Sequence, residues 1–210
     1  MLNDTAAPNG LFTDDGHTAR CVWCRSTSEY QRYHDQEWGF PVADDRRLFE
    51  KISLEAFQSG LSWRTILAKR EHFREAFAQF DPASVATYGP AEVEQLLNNP
   101  GIVRHRGKIE ATLHNAGRAL DLAAEHGSLA AFFWHHEPPA DTLPEPQSVT
   151  TLPAAVALSK DLKRRGWKFV GPTTVYAFMQ AMGLVNDHAT GCSVRVKAAV
   201  ARRAFVVPRS

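Results

Sequence analysis

An all-α fold is what this sequence predicts, and three observations carry that prediction. Apolar residues recur at helical spacing through most of the chain, and capping residues precede these runs while glycine or proline follows them. Clear alternating strands are missing, with only "FVVP" near the end as a weak candidate. The 210 residues, 44% hydrophobic and 22% charged, suit one domain, or one domain with a small appendage, and are enough chain to bury a core.

The elements follow in order. In "DDRRLFEKISLEAFQSG", Asp44 or Asp45 caps a helix, Leu48, Phe49, Ile52 and Ala56 share one face, and Gly60 ends it. Ser62 then caps "SWRTILAKREHFREAFAQF", with Ile66, Phe73, Phe77 and Phe80 in helical register, and "DP" at 81 and 82 restarts the chain. "GPAEVEQLLNN" reads as a short helix with Pro90 in its first turn. "RGKIEATLHNAGRALDLAAEHG" reads as a longer one, striped by Ile109, Leu113, Ala116 and Leu120 and closed by Gly127. Two more helices are expected in "LPAAVALSKDLKRRG", stopped by Gly166, and in "TTVYAFMQAMG", stopped by Gly183, while "HEPPADTLPEPQ" between them and the earlier helices is a loop. There is no internal repeat.

Bulk chemistry excludes several classes. No run approaches the roughly 18 apolar residues that span a bilayer, so no membrane role is expected. Residues 1–19 are polar, lack the basic start and apolar stretch of a secretory signal, and read as a flexible extension. Three cysteines, an odd number without an export signal, point to a reducing cytoplasm and to thiols used for metal or for nothing. A net charge of +1 means that any nucleic-acid contact must rest on local basic patches.

Three constellations carry chemistry. The stretch "CVWCRSTSEYQRYHDQEWGFP" holds Cys21 and His34, and "NDHATGC" holds His188 and Cys192. Two thiolates and two neutral imidazoles make a closed tetrahedral set suited to structural zinc. The spacing is not that of a zinc finger and Cys24 makes an equally short pair with Cys21, so buried thiols without metal fit it as well. The second group is aromatic: Trp23, Tyr30, Tyr33, Trp38 and Trp63. Core packing and a stacking pocket both account for them. Glu55 sits at the edge of the apolar stripe, where it is either a solvated glutamate or a partner for a flat cationic ligand such as a damaged nucleobase. The third group is "NNPGIVRHRGKIEATLHNA", in which a turn with Pro100 and Gly101 precedes Arg104, His105, Arg106 and Lys108. It reads either as a phosphate grip at a helix start or as a plain helical hairpin with a solvated basic end. "KDLKRRGWKF" adds a further basic cluster of little independent weight.

Five segments, "YHDQEWGFP", "LEAFQSGLSW", "PGIVRHRGKIEATLHNA", "LSKDLKRRGWKFVGPTT" and "FMQAMGLVNDHATGC", resemble in order the signatures of the 3-methyladenine DNA glycosylase I family. These are bacterial base-excision enzymes of the helix-hairpin-helix superfamily. The resemblance spans about residues 20–192 and implies an all-α helix-hairpin-helix glycosylase domain over 20–195, followed by a basic tail over 196–210. It implies that the chain flips 3-methyladenine out of double-stranded alkylated DNA and hydrolyses its glycosidic bond, leaving an abasic site and free 3-methyladenine, without an evident protein partner. It assigns one structural zinc to Cys21, His34, His188 and Cys192, tying the terminal segments together, with Cys24 as a spare thiol. Tyr30, Tyr33, Glu55 and Trp63 become the base pocket, built with Trp23 and Trp38, and Glu55 is its catalytic residue. Gly60 and Leu61 plug the gap in DNA, while Pro100, Gly101, Ile102, Arg104 and Lys108 meet the backbone. Ala56 and Ser59 depart from the family motif by small substitutions. The catalytic aspartate of many superfamily members has no counterpart here, and no lysine is placed as a Schiff-base nucleophile, so a monofunctional enzyme is implied.

Overall fold

In the computed structural model, which describes residues 10–13 and 16–209, the chain is built from helices, and one two-stranded pairing is present among the described residues. It forms two compact units. The first contains the described residues through Pro41 together with Pro138–Thr150 and Gln180–Val206, and the second contains Val42–Glu137, Thr151–Met179 and the chain from Val207 onward. No helix among the described residues is long and apolar enough to cross a membrane.

In the first unit, β1 (Leu11–Phe12) pairs antiparallel with β2 (Arg20–Cys21), Leu11 standing opposite Cys21. Phe12 is buried, so this part of the segment read as a flexible extension is ordered by pairing and by an apolar anchor. Residues 1–9 and 14–15 of that extension lie outside the described residues. Helix α1 (Ser28–Gln36) is capped by Thr27, whose hydroxyl accepts from Tyr30 N. Most of the expected basic tail is instead helix α11 (Ser193–Ala204), which buries Val194 and Ala198 and turns Val196 and Val200 outward. The weak strand at "FVVP" does not form, because no neighbouring strand completes a ladder there.

In the second unit, α2 (Asp45–Gln58) is capped by the Asp44 carboxylate, which accepts from Arg47 N. Helix α7 (Arg106–His126) packs against α2, α5 (Pro82–Val85), α6 (Pro90–Asn98) and α8 (Leu129–Trp134). The unit also contains α9 (Pro153–Arg164) and α10 (Pro172–Ala181) as far as Met179. The stretch from Ser62 to Phe80, read as one helix, breaks twice. It runs as α3 (Trp63–Ala68) and α4 (Arg70–Ala76) with Lys69 between them, and then turns left-handed through Ala78, Gln79 and Phe80. Three consecutive non-glycine residues at positive φ cost roughly 1–2 kcal/mol each. The turn carries Phe80 into a fully buried site stacked on Phe77, with ring centroids 5.6 Å apart, and that burial offsets the strain.

Helix α8 was not foreseen, since "LAAFFW" is buried all round and has no polar face to give a period. Its first amides are satisfied from a distance: Leu129 N and Ala130 N donate to the Asp45 carboxylate at 2.9 and 2.8 Å, and Ala131 N donates to Ser128 Oγ. Asp45 thus couples the start of α2 to the start of α8. An Asp45→Ala variant should lose roughly 2–3 kcal/mol in urea unfolding, the scale of amide hydrogen bonds to a charged acceptor. Stability within error of the parent would show that water replaces the carboxylate.

Candidate functional site

The first unit gathers the residues that the sequence set apart as metal ligands. Cys21, His34 and Cys192 are buried, and their ligand atoms lie within 4.8 Å of one another. His188 lies beside them: it is fully buried, its ring centroid lies 5.0 Å from that of His34, and its Nε2 has no hydrogen-bond partner among the described residues. Both imidazoles are oriented by their other nitrogen, His34 Nδ1 against Asp35 Oδ1 at 2.7 Å and His188 Nδ1 against Asn186 Oδ1 at 2.9 Å. Such outer partners fix the ring and the tautomer of a metal-ligating histidine. The thiol of Cys21 receives Ala189 N at 3.3 Å and Gln147 Nε2 at 3.2 Å.

The electrostatics favour the ligand form of His188 and Cys192, while the hydrogen bond to Cys192, followed by burial, holds the Cys21 thiol far above its ordinary value. Burial, followed by the charge of neighbouring His34, pushes His188 down to about 4, so it is neutral near pH 7. Hydrogen bonds from Cys21 and then His34 favour the thiolate of Cys192. Cys24 behaves otherwise: burial, then the Asp35 charge, pushes it up to about 12, and its thiol donates to the Cys21 carbonyl at 3.1 Å. Four ligands around a zinc ion sit roughly 3.3–3.8 Å apart. The 3.5 Å from Cys192 Sγ to His34 Nε2 matches that spacing. Cys21, His34 and Cys192 form a group that can hold a metal ion, His188 packs beside it, and Cys24 stands outside it.

The aromatic group of this unit rests on the same residues. Trp38 meets the His188 ring edge-on at 4.7 Å and stacks with His34 at 6.4 Å, and Trp23 lies 5.2 Å from His34. Trp23 also contacts Tyr30 and Trp38, each at 5.0 Å, and Tyr33 at 6.4 Å. Helix α1 explains the grouping, because Tyr30, Tyr33 and His34 occupy positions i, i+3 and i+4 on one face. Gly39 closes the arrangement at φ +82°, where a Cβ would come within 2.6 Å of His188 Cε1. The candidate metal ligands and the aromatics Trp23, Tyr30, Tyr33 and Trp38, treated separately in the sequence, are one cluster, and Trp63 belongs to the second unit.

In the second unit, Glu55 is buried on α2 and is not solvated. Its carboxylate pairs with Lys51 Nζ at 2.8 Å, and the same ammonium sits 3.2 Å from the centroid of the Trp63 ring. Trp63 is the first residue of α3, a helix capped by Ser62. Between these helices Gly60 and Leu61 form an exposed loop, held where Gln58 Nε2 donates to the Leu61 carbonyl at 2.6 Å. Lys51 was missed in the sequence. Its signal was present, since it stands four residues before Glu55 on the same helix face.

The turn between α6 and α7 is fixed by side chains from elsewhere in the unit. Lys69, at the break between α3 and α4, donates to the carbonyls of Pro100 and Gly101 at 3.0 and 3.2 Å. Gly101 N donates to Asn99 Oδ1 at 2.8 Å, and a Cβ on Gly101 would fall 2.9 Å from His72 Cβ, so only glycine fits. Ile102 is buried and anchors the turn from within, while Pro100 and Arg104 are exposed. Arg106 is engaged by Glu94 at 2.7 Å and Glu110 at 3.7 Å. Lys108, expected as a phosphate contact, faces inward. It is buried, and its ammonium donates to the carbonyls of Phe57 and Ser59 at 2.9 and 2.6 Å, satisfying the end of α2 beside the Gly60–Leu61 loop. Burial alone holds its pKa below the ordinary lysine value.

The methyladenine glycosylase family model matches residues 23–196. The chain belongs to the methyladenine glycosylase family. Among individual members of the family, it is 49% identical over 179 residues to DNA-3-methyladenine glycosylase 1 of Escherichia coli (strain K12), covering 82% of this chain and 95% of that protein. It is 46% identical over 179 residues to DNA-3-methyladenine glycosylase of Haemophilus influenzae, covering 83% and 97%. A variant of 3-methyladenine DNA glycosylase I solved in complex with 3-methyladenine superposes with a TM-score of 0.77 at 36% identity, over 84% of this chain and 97% of that one.

For this methyladenine glycosylase the inward lysine at position 108 links the loop after α2 to the start of α7. Lys108→Met keeps the stem and removes the donors, leaving two helix-end carbonyls without their cation. Urea unfolding should show a loss of roughly 2–3 kcal/mol, as for hydrogen bonds from a charged group. Unchanged stability would return Lys108 to the pool of residues free to meet phosphate.

Proposed function

We propose that this chain is a base-excision repair glycosylase that hydrolyses the N-glycosidic bond of 3-methyladenine in alkylated duplex DNA, releasing the free base and leaving an abasic site. The observation that carries this is the family match over residues 23–196, with relatives named for that activity aligned along nearly their whole length. The binding of 3-methyladenine by a structural neighbour agrees with it. The reaction belongs in the cytoplasm of a bacterium, where its DNA lies.

The residue roles follow from chemistry. Methylation at N3 leaves adenine cationic while it is joined to the sugar, and the cation both weakens its glycosidic bond and marks it for recognition. Tyr30, Tyr33, Trp23 and Trp38 supply flat π-faces, and Trp63 with the buried Glu55 carboxylate supplies attraction for positive charge. Glu55 favours the charged base and the oxocarbenium character of a dissociative cleavage, after which water completes hydrolysis. No lysine nucleophile takes part, and strand cleavage does not follow.

Binding uses backbone and shape. The fold is read as a helix-hairpin-helix in which the turn at Pro100, Gly101 and Ile102, with exposed Arg104, grips phosphates without reading sequence. A poorly paired lesion costs less to flip out, and Leu61, 39% exposed on its loop beside Gly60, fills the space left in the duplex. Zinc is the metal that suits Cys21, His34, His188 and Cys192; four protein ligands leave no open position, so it supplies a structural cross-link.

Release of 3-methyladenine from methylated duplex DNA tests this reading, with Glu55→Gln alongside the parent and both checked for folding. The parent should release the base, and the variant should be slower by at least about tenfold, the scale of one lost charge-assisted contact. Release that is equal in both would remove Glu55 from the role given to it, and no release by folded parent would overturn the activity.

A further inference from the structure

The Lys51–Glu55 pair is poorly explained as a stabilising device. Its side chains are 6% and 7% exposed, and taking two charges out of water costs several kcal/mol per ion unless the geometry repays it. Along a helix the order of lysine four residues before glutamate is also the weaker one, since the reverse agrees with the helix dipole. Yet the ammonium is held by two partners at once, the Glu55 carboxylate at 2.8 Å and the Trp63 ring face at 3.2 Å. A carboxylate and a π-face are what a flat organic cation requires.

From this coincidence we infer that Lys51 is an internal stand-in cation, which a positively charged base must displace from Glu55 and Trp63, and that it thereby sets how strongly the site prefers a charged base over a neutral one. The inference rests on the assignment of Glu55 and Trp63 to the base. With Lys51 seated, the charge of Glu55 is balanced inside the unit, so the carboxylate is not left bare when no base is bound. A cationic base entering the site exchanges one cation for another and gains only the difference. The four-carbon stem of Lys51 allows the exchange, because its head can swing to water while the stem stays packed. Lys51 is therefore a specificity-determining residue and takes no part in bond cleavage.

The test compares two probes by isothermal titration. One is 3,9-dimethyladeninium, a fixed cation whose second methyl stands for the sugar; the other is free 3-methyladenine in mildly alkaline buffer, where it is neutral. Lys51→Met should tighten the cation about tenfold, equivalent to 1.4 kcal/mol, and leave the neutral base within about twofold. Lys51→Gln, which keeps a donor toward Glu55 and covers a failure of the methionine variant to fold, should shift the ratio in the same direction, and Lys51→Arg should leave it near the parent's. The gain should vanish when Glu55→Gln is added, since nothing is left to compete for. Cation binding unchanged or weakened in both neutral variants, with Glu55→Gln still weakening it in the parent, overturns the role of Lys51 and leaves the base assignment standing. Cation binding that ignores Glu55→Gln, or binding of neither probe, overturns the base assignment and this inference with it.

Discussion

Two thiols and two imidazoles withdrawn from water at one place are the constraint on which the first unit depends. An apolar cluster surrounds them, with Cys21, Ala189, Cys192 and Val194 buried together and Leu11, Trp23 and Phe40 packed against them. The donors come from distant parts of the chain, so an ion bound to them would close a long loop and hold the chain between Cys21 and Cys192 at both ends. Asp35, Asn186 and Gln147 are positioned to orient these donors. Because Trp23 and Trp38 lie against the histidine rings, whatever fixes those rings also fixes the aromatic faces.

In the second unit three lysines tie segments of the chain together. Lys51 meets a carboxylate and an indole, Lys69 meets the carbonyls of the α6–α7 turn, and Lys108 meets the carbonyls at the end of α2. Each holds a segment to which the proposed function gives a role: the α2 face bearing Glu55, the α6–α7 turn, and the loop bearing Leu61. For a chain whose net charge is only +1, the proposed phosphate contacts then fall to a few exposed groups such as Arg104 and to backbone amides. It accords with a site that selects by base charge and shape and uses the backbone for placement.

Much of this was legible in the sequence, and the exceptions have physical causes. Caps at Asp44 and Ser62, prolines at 82 and 90 and the stripe from Ile109 to Ala116 place α2, α3, α5, α6 and α7 where local grammar puts them. The left-handed turn at Ala78–Phe80 was hidden, because a helical spacing of phenylalanines does not distinguish a helix from a strained turn that buries the same ring. Helix α1 was masked by aromatic and imidazole residues that carry no simple hydrophobic period, and α11 by its charge. Cysteine scarcity pointed to the group of Cys21, His34 and Cys192 that can hold a metal, whereas the contacts of Lys51, Lys69 and Lys108 depend on partners that only the tertiary structure brings near. A lysine in a sequence is read as a surface cation by default, and these three are exceptions because carbonyls or a carboxylate await them.

The cobalt(II) spectrum of metal-free protein titrated with that ion tests the central claim most directly, because it reports ligand type, geometry and stoichiometry together. The account requires one ion per chain, intense tetrahedral d–d bands and thiolate-to-cobalt charge transfer, all abolished by Cys192→Ser and retained by Cys24→Ser. A weak six-coordinate spectrum without thiolate bands, or bands that survive Cys192→Ser, would contradict a closed two-thiolate, two-imidazole centre as the support of the first unit.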